Sequence, residues 1–276
     1  MKKLADTIAR VGLVANPEKD TSQELVRQAI ALIEKSGRTA VVDNDTAKLA
    51  ASTDLLMVFG GDGTMLRVAR EIAGSNTPIV GINTGSLGFL TDVQAHQLPL
   101  ALEEIWAGKT QLETRALIEA IGPSFTKLAL NDFVVTRGAL PRLIELDVTV
   151  NGESLTRYRC DGLIVCSPTG STAYSLAAGG AVISPDAEVF AITPICPHTL
   201  SNRSVIVSLN STIMVKAMSR RVETILSADG QPPTTLSAGD EITMRRSRHN
   251  IRLLHLAGSS FFDTLRRKLS WRGASV

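Results

Sequence analysis

The spacing of apolar residues changes once along this chain, near Thr114, and that change limits the fold more than any other feature. Before it, short continuous apolar runs alternate with amphipathic stretches, the pattern of parallel strands joined by crossover helices. Residues 10–16 read as a strand. Thr21 and Glu24 stand at capping-box spacing, and Leu25, Ala29, Leu32 and Ile33 recur at helical intervals up to Gly37, which predicts a helix. Residues 39–43 read as a second strand and 54–59 as a buried third, since that run is short, wholly apolar after Asp54 and followed at once by glycines. A helix over 65–73, a strand over 78–83 and a helix over 99–107, stopped by Gly108, complete the first region.

Beyond Thr114 the period becomes two. Residues 143–150 (LIELDVTV) largely alternate, and Asn151-Gly152 supplies a hairpin turn. Strand-like runs follow at 163–166, 204–209, 212–218, 241–244 and 251–256, with Asp229-Gly230 and Gly239-Asp240 among the turn signals between them. Residues 260–269 return to helical spacing through Phe261, Leu265 and Leu269. The pattern therefore predicts an α/β domain with a parallel sheet over 1–114, a β-rich, sandwich-like domain over 115–256, and a C-terminal tail over 257–276 whose helix can pack back on the first domain.

At 276 residues, 44% apolar and 20% charged, the chain is long enough for two modest domains, and its composition excludes disordered, collagen-like and coiled-coil classes. A net charge of +2 provides no field for nucleic acid or anionic lipid. Cys160, Cys166 and Cys196 form no Cys-x-x-Cys pair, so neither a disulfide framework nor a zinc cluster is expected, and none of the four histidines stands at metal-pair spacing. Lys2 and Lys3 precede an apolar stretch that Asp6 and Arg10 interrupt, which predicts a cytoplasmic protein rather than an exported one. The uncharged run 162–185 is too rich in Ser, Thr and Gly for a membrane span.

Three segments can carry chemistry. Gly60-Gly61-Asp62-Gly63-Thr64 lies where the third strand ends and a helix begins, the place at which α/β sheets present ligands. Glycines permit unusual dihedrals and close approach of a ligand, amides at a helix start hold phosphate oxygens, and a carboxylate among them has a use if it takes a proton from an attacking hydroxyl or arranges a divalent cation. The plain alternative is a strand-to-helix turn with an N-capping aspartate. The segment matches neither the Walker A pattern nor the Rossmann fingerprint. In 161–180 (DGLIVCSPTGSTAYSLAAGG) a strand ends in a hydroxyl-rich turn that leads into a helix. Ser167, Thr169, Ser171 and Thr172 offer uncharged hydrogen-bonding groups and Tyr174 a flat apolar face, a set suited to a nucleoside or to an ordinary capped loop. Asn131-Asp132 precedes a strand start, where an amide and a carboxylate project together and match a ribose diol, or simply mark a turn.

Taken in order, GGDGT at 60–64, LND at 130–132, the segment 161–180, PICPHTLSNR at 194–203 and DGQ at 229–231 resemble the motifs of the bacterial NAD kinases over nearly the whole chain. Lipid kinases of the diacylglycerol and sphingosine type and phosphofructokinases carry similar Gly-Gly-Asp-Gly segments; the long second motif separates this family from them. The resemblance implies transfer of the γ-phosphate of ATP to the 2′-hydroxyl of the adenosine ribose of NAD, giving NADP, with a divalent cation such as Mg or Mn. It implies Asp62 as proton acceptor, with Gly60, Gly61, Gly63 and Arg67 shaping or contacting the nucleotide site. Asn131 and Asp132 would hold ribose hydroxyls, and Thr172, Ala173 and Tyr174 with Ser175, Leu176 and Ala177 would form the adenine and ribose pocket. Arg142, Arg159, Asp161 and Gln231 match further NAD-contacting positions. In this family some contacts come from a neighbouring subunit, so a homodimer or homotetramer is implied, with NAD and ATP as partners and neither nucleic acid nor membrane. Many relatives read Asn-Glu where this chain has Asn131-Asp132, and Cys166 stands where relatives often have a small polar residue. Two rival readings are a lipid kinase, against which the chain shows no membrane anchor, and a non-catalytic NAD-binding regulator.

Overall fold

The computed structural model describes residues 7–15, 20–91, 93–199 and 201–271. Two compact units emerge, one made of 1–114 with 250–276, the other of 115–249, so residues 250–256 fall with the first.

The first unit runs β1 (Arg10–Ala15), α1 (Asp20–Lys35), β2 (Thr39–Val41), α2 (Thr46–Ser52), β3 (Leu55–Gly60), α3 (Asp62–Glu71), β4 (Ile79–Asn83), β5 (Val93–Gln94) and α4 (Leu98–Trp106). Its strands pair parallel, β1 with β2 and β3, and β4 with β3 and β5. All six residues of β3 are buried because helices cover both faces of a parallel sheet. Withdrawing each of Leu55, Leu56, Met57, Val58 and Phe59 from water contributes roughly 1.5–3 kcal/mol. Two local readings need correction. Helix α2 was not expected from the sequence; Asp45 starts it by accepting the Lys48 N–H at 3.0 Å. Thr21 lies inside α1 rather than ahead of it, its side chain being outside the described residues, as are Asn16 and the residues before Thr7.

β6 (Thr110–Ile121) leads into the second unit, which continues with β7 (Thr126–Ala129), β8 (Asp132–Arg137), β9 (Ile144–Val150), β10 (Glu153–Cys160), β11 (Gly162–Cys166), the single-turn α5 (Tyr174–Ala177), β12 (Val189–Ile195), β13 (Val205–Ser208), β14 (Ile213–Ala217), β15 (Thr224–Ala228) and β16 (Thr234–Leu236). Last come β17 (Glu241–Leu256) and α6 (Phe261–Lys268). One antiparallel sheet of this unit has the order β13-β12-β11-β8-β15-β16, and β10, β9, β14 and β17 pair antiparallel in another. Phe133, Val135, Leu163 and Phe190 from the first sheet and Ile144, Leu146, Val215 and Ile242 from the second share one core, so the unit is a sandwich. Asn151 and Gly152 take φ of 53° and 84°, the left-handed pair that a tight hairpin turn needs.

The two runs read as separate strands at 241–244 and 251–256 are one strand, β17. The polar stretch between them faces solvent and is ion-paired, Arg245 to Glu119 at 2.7 Å and Arg246 to Glu188 at 3.3 Å, while Ser247 stays buried. In the first unit Leu253 of β17 pairs parallel with Ile79. Helix α6 packs on that unit, burying Leu265 and setting the Phe261 ring in a tilted pair with that of Phe89. The helix expected after the hydroxyl-rich turn is only the single turn α5, preceded by a 3₁₀ turn over Thr169–Thr172.

Candidate active site

In the first unit the carboxyl ends of β3 and β4 lie side by side, Gly60 paired with Asn83, and two loops leave from that edge. Asp62 does not cap α3. Gly61 is the N-cap, with ordinary extended dihedrals, and Asp62 is the first helical residue. Its carboxylate turns instead to the loop after β4, where Oδ2 accepts the Phe89 N–H at 2.8 Å and Oδ1 the Leu90 N–H at 3.0 Å. The Thr91 hydroxyl also donates to Oδ1, at 3.5 Å; an ionised carboxylate has about four lone-pair sites, so these three donors still leave acceptor capacity for a substrate proton. None of the three motif glycines has a positive φ. Their use is therefore space: a Cβ on Gly60 would strike the Thr64 side chain, whereas Gly61 and Gly63 face open room into which a ligand can approach the backbone. Arg67 lies a turn further along α3 and pairs with Glu71 at 2.8 Å.

Several residues that hold this arrangement were not singled out from the sequence. A Cβ on Gly88 would collide with the Asp62 carboxylate, so only glycine lets the loop wrap so closely. Buried Asn83 ties the same loop, donating to the Ser86 carbonyl at 2.7 Å and to the Thr91 hydroxyl at 3.2 Å and accepting from the Gly85 N–H at 2.6 Å. The density of glycine at 81, 85 and 88 was the available signal.

In the second unit, antiparallel pairing places the start of β8 beside the ends of β11 and β15, with Asp132 opposite Cys166 and Phe133 opposite Ala228. That brings together three motifs distant in sequence. The Asp229 carboxylate accepts the N–H groups of Leu130 at 2.9 Å, Asn131 at 2.8 Å and Asp132 at 3.2 Å. Ser167 N–H donates to the Asn131 carbonyl at 2.9 Å, and a Cβ on Gly170 would strike that carbonyl, so the hydroxyl-rich turn sits tightly on Asn131. The backbone is thus fully used while the side chains are left over. Asn131 Oδ1 is buried with no hydrogen-bond partner, and Asp132 is 4% exposed. Burial, and secondarily the nearby Asp229 charge, push the Asp132 carboxyl up to about 7. An adjacent buried amide oxygen and carboxyl form a natural receiver for two neighbouring hydroxyls.

Of the segment after β11, Ser171 and Ser175 are buried, Ser171 accepting the Ile183 N–H at 3.0 Å and Ser175 meeting the Thr193 hydroxyl at 3.0 Å. Thr172, Ala173 and Leu176 are half-buried, Ala177 is exposed, and Tyr174 is 48% exposed. Gln231 stands two residues beyond Asp229, in the turn after β15, half-buried. Cys166 packs in β11, where burial pushes its thiol up to about 11, so it is no nucleophile. The remaining expected residues lie elsewhere. Asp161 precedes β11 and pairs with Arg137 at 2.8 Å, at the end opposite Asp132; five strand residues span roughly 16 Å. Arg159, exposed and facing Glu145 at 3.3 Å, ends up near Asp161, and Arg142 is exposed in the loop before β9. Among the described residues no three His, Cys, Asp or Glu side chains group as a metal cage, and no helix is long and apolar enough to cross a membrane.

A carboxylate fixed in a glycine-rich turn at a parallel-sheet edge and, in the β unit, a buried amide oxygen next to a carboxyl are groups that a phosphotransferase with an alcohol acceptor can use. Sequence models of the ATP-NAD kinase N-terminal and C-terminal domains match residues 46–110 and 130–256. The NAD kinase of Syntrophotalea carbinolica is 41% identical over 233 residues, 83% of this chain and 82% of that protein. A crystal structure of yeast NADH kinase complexed with NADH superposes with a TM-score of 0.88 at 26% identity, covering 98% of this chain and 89% of that one. An NAD kinase from Archaeoglobus fulgidus in complex with ATP gives 0.80 at 28% identity, covering 96% and 100%. The chain belongs to the NAD kinase family and is an enzyme of that family.

Proposed function

We propose that the enzyme transfers the γ-phosphate of ATP to the 2′-hydroxyl of the adenosine ribose of NAD, and that Asp62 is the general base. The observation that carries this reading is the turning of Asp62 away from its own helix onto the Phe89 and Leu90 amides, which fixes the carboxylate in the glycine-rich turn where Gly61 and Gly63 leave open room. A ribose hydroxyl is a weak nucleophile at neutral pH. As its oxygen bonds the γ-phosphorus, the proton passes to Asp62 and the bond to the β–γ bridging oxygen breaks, releasing ADP. Amides at the start of α3 suit phosphate oxygens. With no group of three His, Cys, Asp or Glu side chains among the described residues to form a cage, a divalent cation would arrive on the ATP phosphates as part of that substrate.

The β-rich domain is assigned to NAD. Asn131 and Asp132 receive ribose hydroxyls, Thr172 to Ala177 border the adenosine, and Gln231 lies by the same strand ends. Arg159 and Asp161, at the far end of β11, suit the contacts that this family makes to a neighbouring subunit, in keeping with a homodimer or homotetramer in the cytoplasm. NADP formation from NAD and ATP, with diacylglycerol as the competing acceptor, tests the activity; phosphorylation of the lipid instead of NAD would refute it. A crystal soaked with NAD tests the base, since the 2′-hydroxyl must lie within hydrogen-bond reach of Asp62, directly or through one water. Tyr174→Ala is expected to weaken NAD binding by about 3- to 10-fold, the worth of one ring contact. Calorimetry checks this, and unchanged affinity would remove Tyr174 from the pocket.

A further inference from the structure

The carboxylate of Asp62 is held by backbone amides, so its position depends on whatever holds that backbone. From below, the loop is fixed by Asn83 and by the close approach of the Leu90 carbonyl to Gly81, where a Cβ would not fit. From outside, it is fixed by the C-terminal helix. The Phe89 ring lies 6.1 Å from that of Phe261, within the range of a favourable tilted pair. Lys268, near the other end of α6, places its ammonium 4.8 Å from the Phe89 centroid, within cation–π range. Phe89 is thus gripped from both ends of one helix, which is itself capped by Ser260 and anchored by buried Leu265. The reaction described above uses none of these α6 residues.

Building on the assignment of Asp62 as the base, we infer that α6 is a positioning element for catalysis: Phe261 and Lys268 hold Phe89, and Phe89 holds the Asp62 carboxylate through its N–H. Phe261 and Lys268 touch no reacting atom. Their loss lets the loop relax, and a carboxylate displaced by a fraction of an ångström to an ångström loses turnover without losing substrate.

Phe261→Ala is therefore expected to lower kcat by about 3- to 30-fold while KM for NAD and for ATP stays within about twofold, and Phe261→Tyr, which restores a ring, to recover most of the loss. If Phe261→Ala does not fold, Lys268→Ala serves, with an expected two- to fivefold fall in kcat and the same unchanged KM values. The decisive measurement is the double variant: in an Asp62→Asn background, Phe261→Ala (or Lys268→Ala) should cost less than about twofold more, because the group it positions is already gone. The same fold-loss in both backgrounds, an unchanged kcat, or no recovery with Tyr overturns the inference and leaves the base assignment standing. Wild-type turnover in Asp62→Asn removes the base assignment, and this inference with it.

Discussion

Asp62→Asn lowers turnover by about 10²- to 10⁴-fold, the scale for removing a general base, with NAD affinity nearly unchanged. The substitution keeps size and shape but not acceptor capacity. In the wild type each carboxylate oxygen accepts one amide, from Phe89 and from Leu90. An amide side chain offers one oxygen and one NH₂, so one of those two backbone donors faces another donor. A backbone donor left unmade costs roughly 1–3 kcal/mol, so the variant should also melt a few degrees lower. That modest loss of stability is distinct from the kinetic effect, because the residues assigned to NAD belong to the other unit and are untouched. Steady-state NADP formation, calorimetric NAD titration and thermal melting separate the contributions. Turnover within tenfold of wild type would show that the proton leaves by another route; a loss of NAD affinity matching the loss of turnover would mean that Asp62 binds rather than reacts.

The parts of this site that were legible in the sequence are those encoded locally. A short apolar run followed by Gly-Gly-Asp-Gly states a buried parallel strand and a turn at its carboxyl edge, and Asn151-Gly152 states a hairpin, because backbone geometry at these points is set by neighbouring residues. Contacts across sequence were not legible. Asp229 reads as the first residue of an Asp-Gly turn, and it does take φ of 47°, yet its carboxylate organises the amides of Leu130 to Asp132 nearly a hundred residues upstream. Gly88 looks like any loop glycine until the Asp62 carboxylate is found where its Cβ would be. The division of β17 into two apparent strands has the same origin. Pairing depends on backbone groups, which Arg245 to Asn250 supply as well as any residues, whereas apolar spacing reports only side chains that face a core. The NAD kinase motifs, carried by their order along the whole chain, gave the family; they could not say that Asp161 and Arg159 would stand at the opposite end of β11 from Asp132.

Asp132→Asn should move stability and binding in opposite directions. Burial is the main reason that its carboxyl sits at about 7 rather than at the ordinary value of 3.8, with the Asp229 charge adding to it. The folded-state value is the higher one, so the folded chain binds the proton more tightly than the unfolded chain. The associated stability is complete below pH 3.8 and is lost as pH rises through about 7. At pH 8 the protein therefore bears the whole cost of a charged, buried carboxylate, on the order of 4 kcal/mol at about 1.4 kcal/mol for each pH unit. A neutral amide removes that cost. Urea or thermal unfolding at pH 8 should show the variant more stable than wild type, the gain shrinking steadily toward pH 4; equal stability at both pH values would mean that the carboxyl is solvated in solution. NAD binding should fall meanwhile, by about 10-fold or more, because hydrogen bonds to a charged acceptor are worth roughly 1.5–3 kcal/mol and an amide oxygen offers less.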